Sequence, residues 1–381
     1  MEAGQGPSGK GRGWAAWIRL VVAALLMGMI LHVIFCNEAQ LHLTQNGGRW
    51  DELTRWEQRQ LAWSRGPVEL WRTIGRLAPV NVGLALVLCG LPVILGGLRW
   101  RRALQVQGLH LSVAEVTRVS FVAHFFNAFL LGSTGGDVVK AWCAARWTRK
   151  KRAEAALTVV VDRLLGTLAL LVFAAAMIPL AWEASPGVAL FTAYRRYQAV
   201  ALLVGGMALV AALGVGTAFY TPVFSGGSLV ARVVRRLPRG DSLARALEAC
   251  RLFGRHRRYL AWAAIYSILI NLSIVGTFLA LASGLELEAP ARVLWFVVPA
   301  VVCVAALPVT PSGLGVREHL FVSLLAIDAF PGLRHGEALA LALLGYTANL
   351  AWSAVGGLVY LVWPVGVQVL EAGGEGSEEA S

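Results

Sequence analysis

Two acidic residues stand at the exits of polar, glycine-rich interruptions in apolar sequence. The first runs Asn127-Ala128-Phe129-Leu130-Leu131-Gly132-Ser133-Thr134-Gly135-Gly136-Asp137, with Lys140 one turn beyond. The second runs Leu307-Pro308-Val309-Thr310-Pro311-Ser312-Gly313-Leu314-Gly315-Val316-Arg317-Glu318. A third charged pair, Asp162-Arg163, lies inside the apolar run 154–182. These types suit phosphate binding, cation pairing and proton carriage. Gly132, Gly135 and Gly136 permit tight turns and close approach. Ser133 and Thr134 can cap a helix starting near Asp137, and the N–H groups opening that helix can meet an anion such as a lipid phosphate. Asp137 can cap backbone, pair with a cation or carry a proton. Asn127 can bond a headgroup or a neighbouring helix.

The second interruption has similar chemistry. Pro308 and Pro311 each remove a backbone donor and break a helix. Thr310 and Ser312 can satisfy the freed groups, Gly313 and Gly315 form the turn, and Glu318 opens the next half-helix. Sequence neighbours on a helix point apart, so Arg317 and Glu318 are expected to pair elsewhere. Arg163 can counter Asp137 or Glu318, or grip a phosphate with two donors. Plainer readings stand beside these. The glycines can serve helix packing alone, and Asp162 and Arg163 can snorkel to the interface. Asn271, Tyr346 and Asn349 can be interhelical glue, and His124 a packed or interfacial histidine.

Hydrocarbon cannot hydrogen-bond the backbone groups that a broken helix frees, so such breaks sit within a bundle or against a water-filled cavity. Paired breaks in corresponding halves mark the binding site of many transporters. The chain around them is suited to a membrane. Of 381 residues, 57% are hydrophobic and only 15% charged, and several runs exceed the 18 or so residues that read as a span. The expected class is an all-α polytopic membrane protein. Full spans are expected at 14–35, 79–99, 154–182, 198–219, 260–283 and 338–363, with broken segments at 116–139 and 292–330. The run at 14–35 is too long for a cleaved leader and lacks a small-residue cleavage site, so it reads as a retained span. Residues 37–78 read either as an amphipathic surface helix, with Leu53, Trp56, Gln60 and Trp63 at helical spacing, or as a loosely structured loop.

The net charge is +12, carried by loops where it orients spans and meets anionic headgroups; nucleic acid is not an expected partner. Basic clusters at 99–102, 140–152 and 232–258 place those loops in the cytoplasm. The acidic connections 183–194 and 284–291, without Lys or Arg, go outside. The loops flanking segment 116–139 are both basic, so that segment should enter and leave on one side as a re-entrant hairpin. Counting onward places the break at 308–315 on the opposite face. The result is an inverted repeat, about 79–182 and 260–363; the competing layout is eight ordinary spans with one basic loop outside. The expected domains are a cytoplasmic segment 1–13, an integral domain 14–363 and an acidic disordered tail 364–381. The expected location is the plasma (inner) membrane, multi-pass, with the N-terminus cytoplasmic.

Catalytic patterns are lacking: there is no GxSxG, HExxH or Walker A motif. The five cysteines are scattered without metal-ligand spacing. No cofactor, metal or catalytic residue is therefore expected.

The motif residues resemble the lysylphosphatidylglycerol synthase transmembrane-domain family, also called flippase-like. Asn127, Gly132, Gly135-Gly136-Asp137 and Lys140 match its first signature. Asp162-Arg163 matches its acid–Arg pair, and Leu307 to Glu318 match Leu-Pro-x-x-Pro-x-Gly-x-Gly-x-x-Glu. The resemblance covers about residues 79–363. Leu131 stands where the family commonly has Pro, and Lys140 where it often has Arg. The sequence has no room for the aminoacyl-transferase domain of the synthases. The resemblance thus implies the lipid-translocating half. The expected function is movement of a phospholipid or polyprenyl-linked lipid between leaflets, with anionic membrane lipids as partners and the motif residues lining a polar cavity. The alternative is an intramembrane lipid- or glycan-transferring enzyme, or an accessory subunit of a separate lipid-modifying enzyme.

Overall fold

The computed structural model describes residues 10–128, 135–148, 151–179, 190–220, 251–287, 291–306, 316–325 and 335–363. No strand occurs among them. Helix α1 is Lys10–Gln45 and α2 is Arg55–Arg76. Then follow α3 (Pro79–Val106), α4 (Val113–Asn127), α5 (Gly135–Arg146) and α6 (Arg152–Ala176). Next come α7 (Leu190–Tyr220), α8 (Arg257–Gly284), α9 (Ala291–Ala305), α10 (Val316–Leu325) and α11 (His335–Val362).

Five helices, within α3, α6, α7, α8 and α11, are long and apolar enough to cross a membrane. They are the runs expected from 79 onward. The run 14–35 falls inside α1, whose 36 residues form one continuous helix. Large apolar side chains face outward on these elements, among them Leu202, Leu209, Val210 and Leu213 of α7. Such a belt is costly in water and fits lipid.

The segments that carry the breaks behave differently. Helices α4 and α5 have 15 and 12 residues, and α9 and α10 have 15 and 10. At 1.5 Å per residue the longest is about 22 Å, short of the roughly 30 Å of hydrocarbon. Each is packed against its sequence partner, α4 on α5 and α9 on α10. Helix α4 begins with a reciprocal capping box. Ser112 N–H donates to Glu115 Oε2 at 2.7 Å, and Glu115 N–H donates to Ser112 Oγ at 3.2 Å.

The quartet α3-α4-α5-α6 and the quartet α8-α9-α10-α11 pack by the same rules. Contacts α3–α4, α4–α5, α5–α6 and α3–α6 have counterparts α8–α9, α9–α10, α10–α11 and α8–α11. Across the quartets α3 packs on α8, α4 on α11 and α9 on α6. One apolar cluster gathers Val293, Phe296, Phe321 and Leu341, and another gathers Trp100, Val116, Val119 and Leu157.

The segment 37–78 is not a loose loop. Helix α1 continues to Gln45, and α2 packs on it. Phe35 and Trp63 meet edge to face at 5.2 Å, and Trp63 Nε1 donates to His32 Nδ1 at 3.0 Å. Trp56 and Trp71 remain exposed. A second difference concerns the basic cluster 99–102. Helix α3 runs on to Val106, so Arg99 is not a loop residue: it is buried inside the bundle.

Candidate functional site: a cation-lined cavity

Helical phase brings the polar residues together. Cys89, Pro92, Val93, Gly96 and Arg99 recur at three- and four-residue steps along one face of α3. Ser120, Ala123, His124, Asn127 and Ala128 do the same on α4, and Arg163, Gly166, Thr167, Leu170 and Leu171 on α6. Helix α8 adds Ser267, Asn271, Ile274, Thr277 and Phe278. With Lys140 of α5, Arg317 of α10, and Tyr346 and Asn349 of α11, these faces enclose a cavity of about 530 Å³. Such a size is within the range of small-molecule sites.

Four cations line it: Arg99, Lys140, Arg163 and Arg317; no carboxylate does among the described residues. The acids stand behind the cations. Arg99 Nε donates to Asp162 Oδ1 at 2.8 Å, and its Nη1 donates to Ser267 Oγ at 2.8 Å. This ties α3 to α6 and α8, with both charged side chains about nine-tenths buried. Gly166 packs directly against it, and a Cβ there would push the Arg99 guanidinium aside. Arg163 Nε lies 3.4 Å from Asp137 Oδ2, joining α6 to α5. Asp162 and Arg163 point to different partners, with Asp162 buried and Arg163 about half exposed.

Arg317 departs from expectation. Its Nη2 donates to Glu318 Oε1 at 2.6 Å, although the two are sequence neighbours. The guanidinium also lies 3.9 Å from the centre of the Tyr346 ring. Long side chains can bend round a helix end, where no preceding turn separates them, and α10 begins at Val316. Lys140 takes no carboxylate partner among the described residues. Its ammonium lies 5.5 Å from the centre of the Trp100 ring. Trp100 is held in turn by Nε1 donating to Thr158 Oγ1 at 3.0 Å.

Asn127 caps a neighbouring helix. Its Oδ1 accepts from Gly136 N–H at 2.7 Å, which occupies one of the backbone donors otherwise open to an anion. Gly136 sits so close to α4 that a Cβ would land on the Ala123 carbonyl. Gly135 is likewise buried. His124 Nε2 is 3.3 Å from the Asn349 carbonyl oxygen and faces the cavity. Of the residues singled out in the sequence, His124, Asn127, Lys140, Arg163, Asn271, Arg317, Tyr346 and Asn349 line the cavity, and Asp137, Asp162 and Glu318 stand behind its cations. Pro308, Thr310, Pro311, Gly313 and Gly315 lie outside the described residues, as do Gly132, Ser133 and Thr134. Arg99 belongs to none of the sequence motifs. It reads as the first member of Arg99-Trp100-Arg101-Arg102, yet its spacing from Cys89, Pro92 and Gly96 puts it on their helix face.

Short helices packed in pairs among longer apolar ones, round a charged cavity, define an all-α multi-pass membrane protein. The sequence matches the family described as the lysylphosphatidylglycerol synthase TM region over residues 60–356 of 381, and the chain belongs to that family. Comparison with curated proteins returns no match.

Proposed function

We propose that this protein moves an anionic lipid between membrane leaflets, with the headgroup crossing through the cavity while the acyl chains stay in surrounding lipid. The observation that carries the reading is the lining: four cations and no carboxylate among the described residues, round about 530 Å³. A phosphate leaving water needs donors and positive charge to replace its hydration, and this lining supplies both. Membership of a family named for lipid synthesis supports a lipid as the occupant.

In this reading the α4–α5 and α9–α10 hairpins are re-entrant and enter from opposite faces, as the basic loops and the matched packing of the quartets suggest. The N-terminus lies in the cytoplasm and the membrane is the plasma membrane. Lys140 is the first cation for an incoming phosphate, because among the described residues no ion pair holds it. Arg99, Arg163 and Arg317 share their charge with Asp162, Asp137 and Glu318. The acids then serve as counter-ions that hold the arginines in place while the cavity is empty.

The test is reconstitution into vesicles with fluorescent phosphatidylglycerol and a membrane-impermeant quencher. Protein-containing vesicles are expected to expose the inner-leaflet label at a rate above protein-free vesicles. Identical rates for phosphatidylglycerol and other anionic lipids with and without protein, while a known scramblase works, would refute the proposal.

A further inference from the structure

We infer that one end of the bundle carries two peripheral sites for the phosphates of anionic membrane lipids, at Arg102 of α3 and Arg118 of α4, and that a lipid held there loosens the join between the two quartets. Neither arginine lines the cavity. Helices α3 and α8 run antiparallel in close contact. Gly284 lies against Leu77 and Asn81, Gly276 against Leu88, and Arg99 bonds to Ser267. Further along that seam the Arg102 guanidinium sits 5.2 Å from the centre of the Trp262 ring. Helices α4 and α11 repeat the pattern. Gly356 packs on the Phe121 backbone, and the Arg118 guanidinium sits 5.6 Å from the centre of the Trp363 ring.

Both pairs stand where α3 and α11 finish and α4 and α8 begin, and each sets an arginine of the first quartet on a tryptophan of the second. The α3–α8 seam is built unevenly. At its other end a Cβ on Gly284 would lie 3.0 Å from Asn81 Cβ, and one on Gly276 would lie 3.1 Å from Leu88 Cδ1. Backbones that approach this closely hold by packing, which does not yield gradually. At the arginine end the hold is a ring face. Trp262 is 43% exposed, and a cation–π contact at an exposed site is weak beside a charge-assisted bond to phosphate. Neighbouring cations are engaged with backbone: Arg101 Nε donates to the Leu111 carbonyl at 2.7 Å, and Lys151 Nζ to the Gln107 carbonyl at 3.0 Å. Arg102 Nη1 reaches a neutral acceptor, Gln105 Oε1, at 3.3 Å. No ion pair involves Arg102 or Arg118 among the described residues.

Arginine and tryptophan at the ends of spanning helices fit the headgroup layer. A lipid phosphate there offers a guanidinium two oxygens, and a ring face offers it none. A phosphate that takes Arg102 or Arg118 leaves Trp262 or Trp363 without its cation. It binds the loosened seam better than the closed one, and so shifts the seam toward opening at this end, while the glycine end stays packed.

The experiment is amide hydrogen exchange of the full chain in nanodiscs of phosphatidylcholine, of phosphatidylcholine mixed with phosphatidylglycerol, and of phosphatidylcholine with inorganic phosphate in the buffer. Phosphatidylglycerol is expected to speed exchange at 257–263 and 355–362 about two- to fivefold, the factor that an exposed cation–π contact is worth, and to leave 276–284 unchanged. Arg102→Gln/Arg118→Gln is expected to exchange fast at 257–263 and 355–362 in all three and to ignore phosphatidylglycerol. Trp262→Leu/Trp363→Leu, the alternative should the arginine variant not fold, is expected to be fast in phosphatidylcholine alone and to gain nothing further from phosphatidylglycerol. Unchanged or slower exchange in the wild type on adding phosphatidylglycerol, or a persisting response in a folded variant, would overturn the inference. Equal acceleration by inorganic phosphate would overturn the assignment to lipid. Exchange is read without transport, so a protein that responds in this way but does not move lipid would refute the proposed function alone.

Discussion

Arg99 and Asp162 form the most buried ion pair of the site, and removing one partner leaves the other charged and dry. Breaking such a pair costs about 3–5 kcal/mol, whereas replacing both charges with apolar residues of similar volume is often tolerated. Arg99→Met should therefore lower the thermal midpoint strongly, and Arg99→Met/Asp162→Leu should recover most of the loss. A single variant as stable as wild type would mean that the pair does not hold α3 to α6. Gly136 makes a different demand. Gly136→Ala places a methyl on the Ala123 carbonyl, and overpacking of this kind costs about 1–3 kcal/mol; the same thermal scan reads it. At this scale the sequence displayed the acids and Arg163 plainly, because charge inside an apolar run stands out. It could not display who pairs with whom. Asp162 and Arg163 are neighbours in the chain yet bond to different helices, while Arg317 and Glu318 are neighbours that bond to each other.

The elements explain why the motif residues sit where they do. Asn127 ends α4 and caps the start of α5, so one amide fixes the geometry between the halves of the first hairpin. Asn127→Ala should cost about 1 kcal/mol, as lost caps do, and should speed amide hydrogen exchange at Gly136 in particular. Unchanged exchange there would place the hairpin's support elsewhere. The hairpin also predicts sidedness. Ser112→Cys and Thr148→Cys, at its two ends, should both react with an impermeant thiol reagent from the cytoplasmic face alone. Labelling from opposite faces would make 113–146 a crossing segment. The breaks were legible because Gly and Pro punctuate them. The start of α4 was also written in the chain, as Ser112-x-x-Glu115, a capping box that places it three residues before the expected 116. The continuation of α3 to Val106 was not legible, since Arg99, Arg101 and Arg102 look like the end of a span; Arg99 stays inside only because Asp162 and Ser267 wait on other helices.

For the whole molecule, the matched packing of two quartets and the charge of the cavity between them belong to one account. Each quartet contributes a hairpin whose second half opens near an acid, Asp137 on α5 and Glu318 on α10, and each acid holds an arginine against the cavity. The polytopic class followed from composition, since apolar length alone demands lipid. The cavity did not, because it depends on which face of each helix turns inward, and Ser267, Thr277 and His124 carry no motif. Lys140 offers the most direct test of the central claim, that unbalanced positive charge in the cavity carries an anionic headgroup. No ion pair involves it among the described residues, so Lys140→Gln should leave the thermal midpoint close to wild type. In vesicles with fluorescent phosphatidylglycerol, the account predicts that this variant slows lipid movement about tenfold, the effect of losing one charge-assisted contact of roughly 1.4 kcal/mol. A folded Lys140→Gln protein that moves the lipid at the wild-type rate would contradict it.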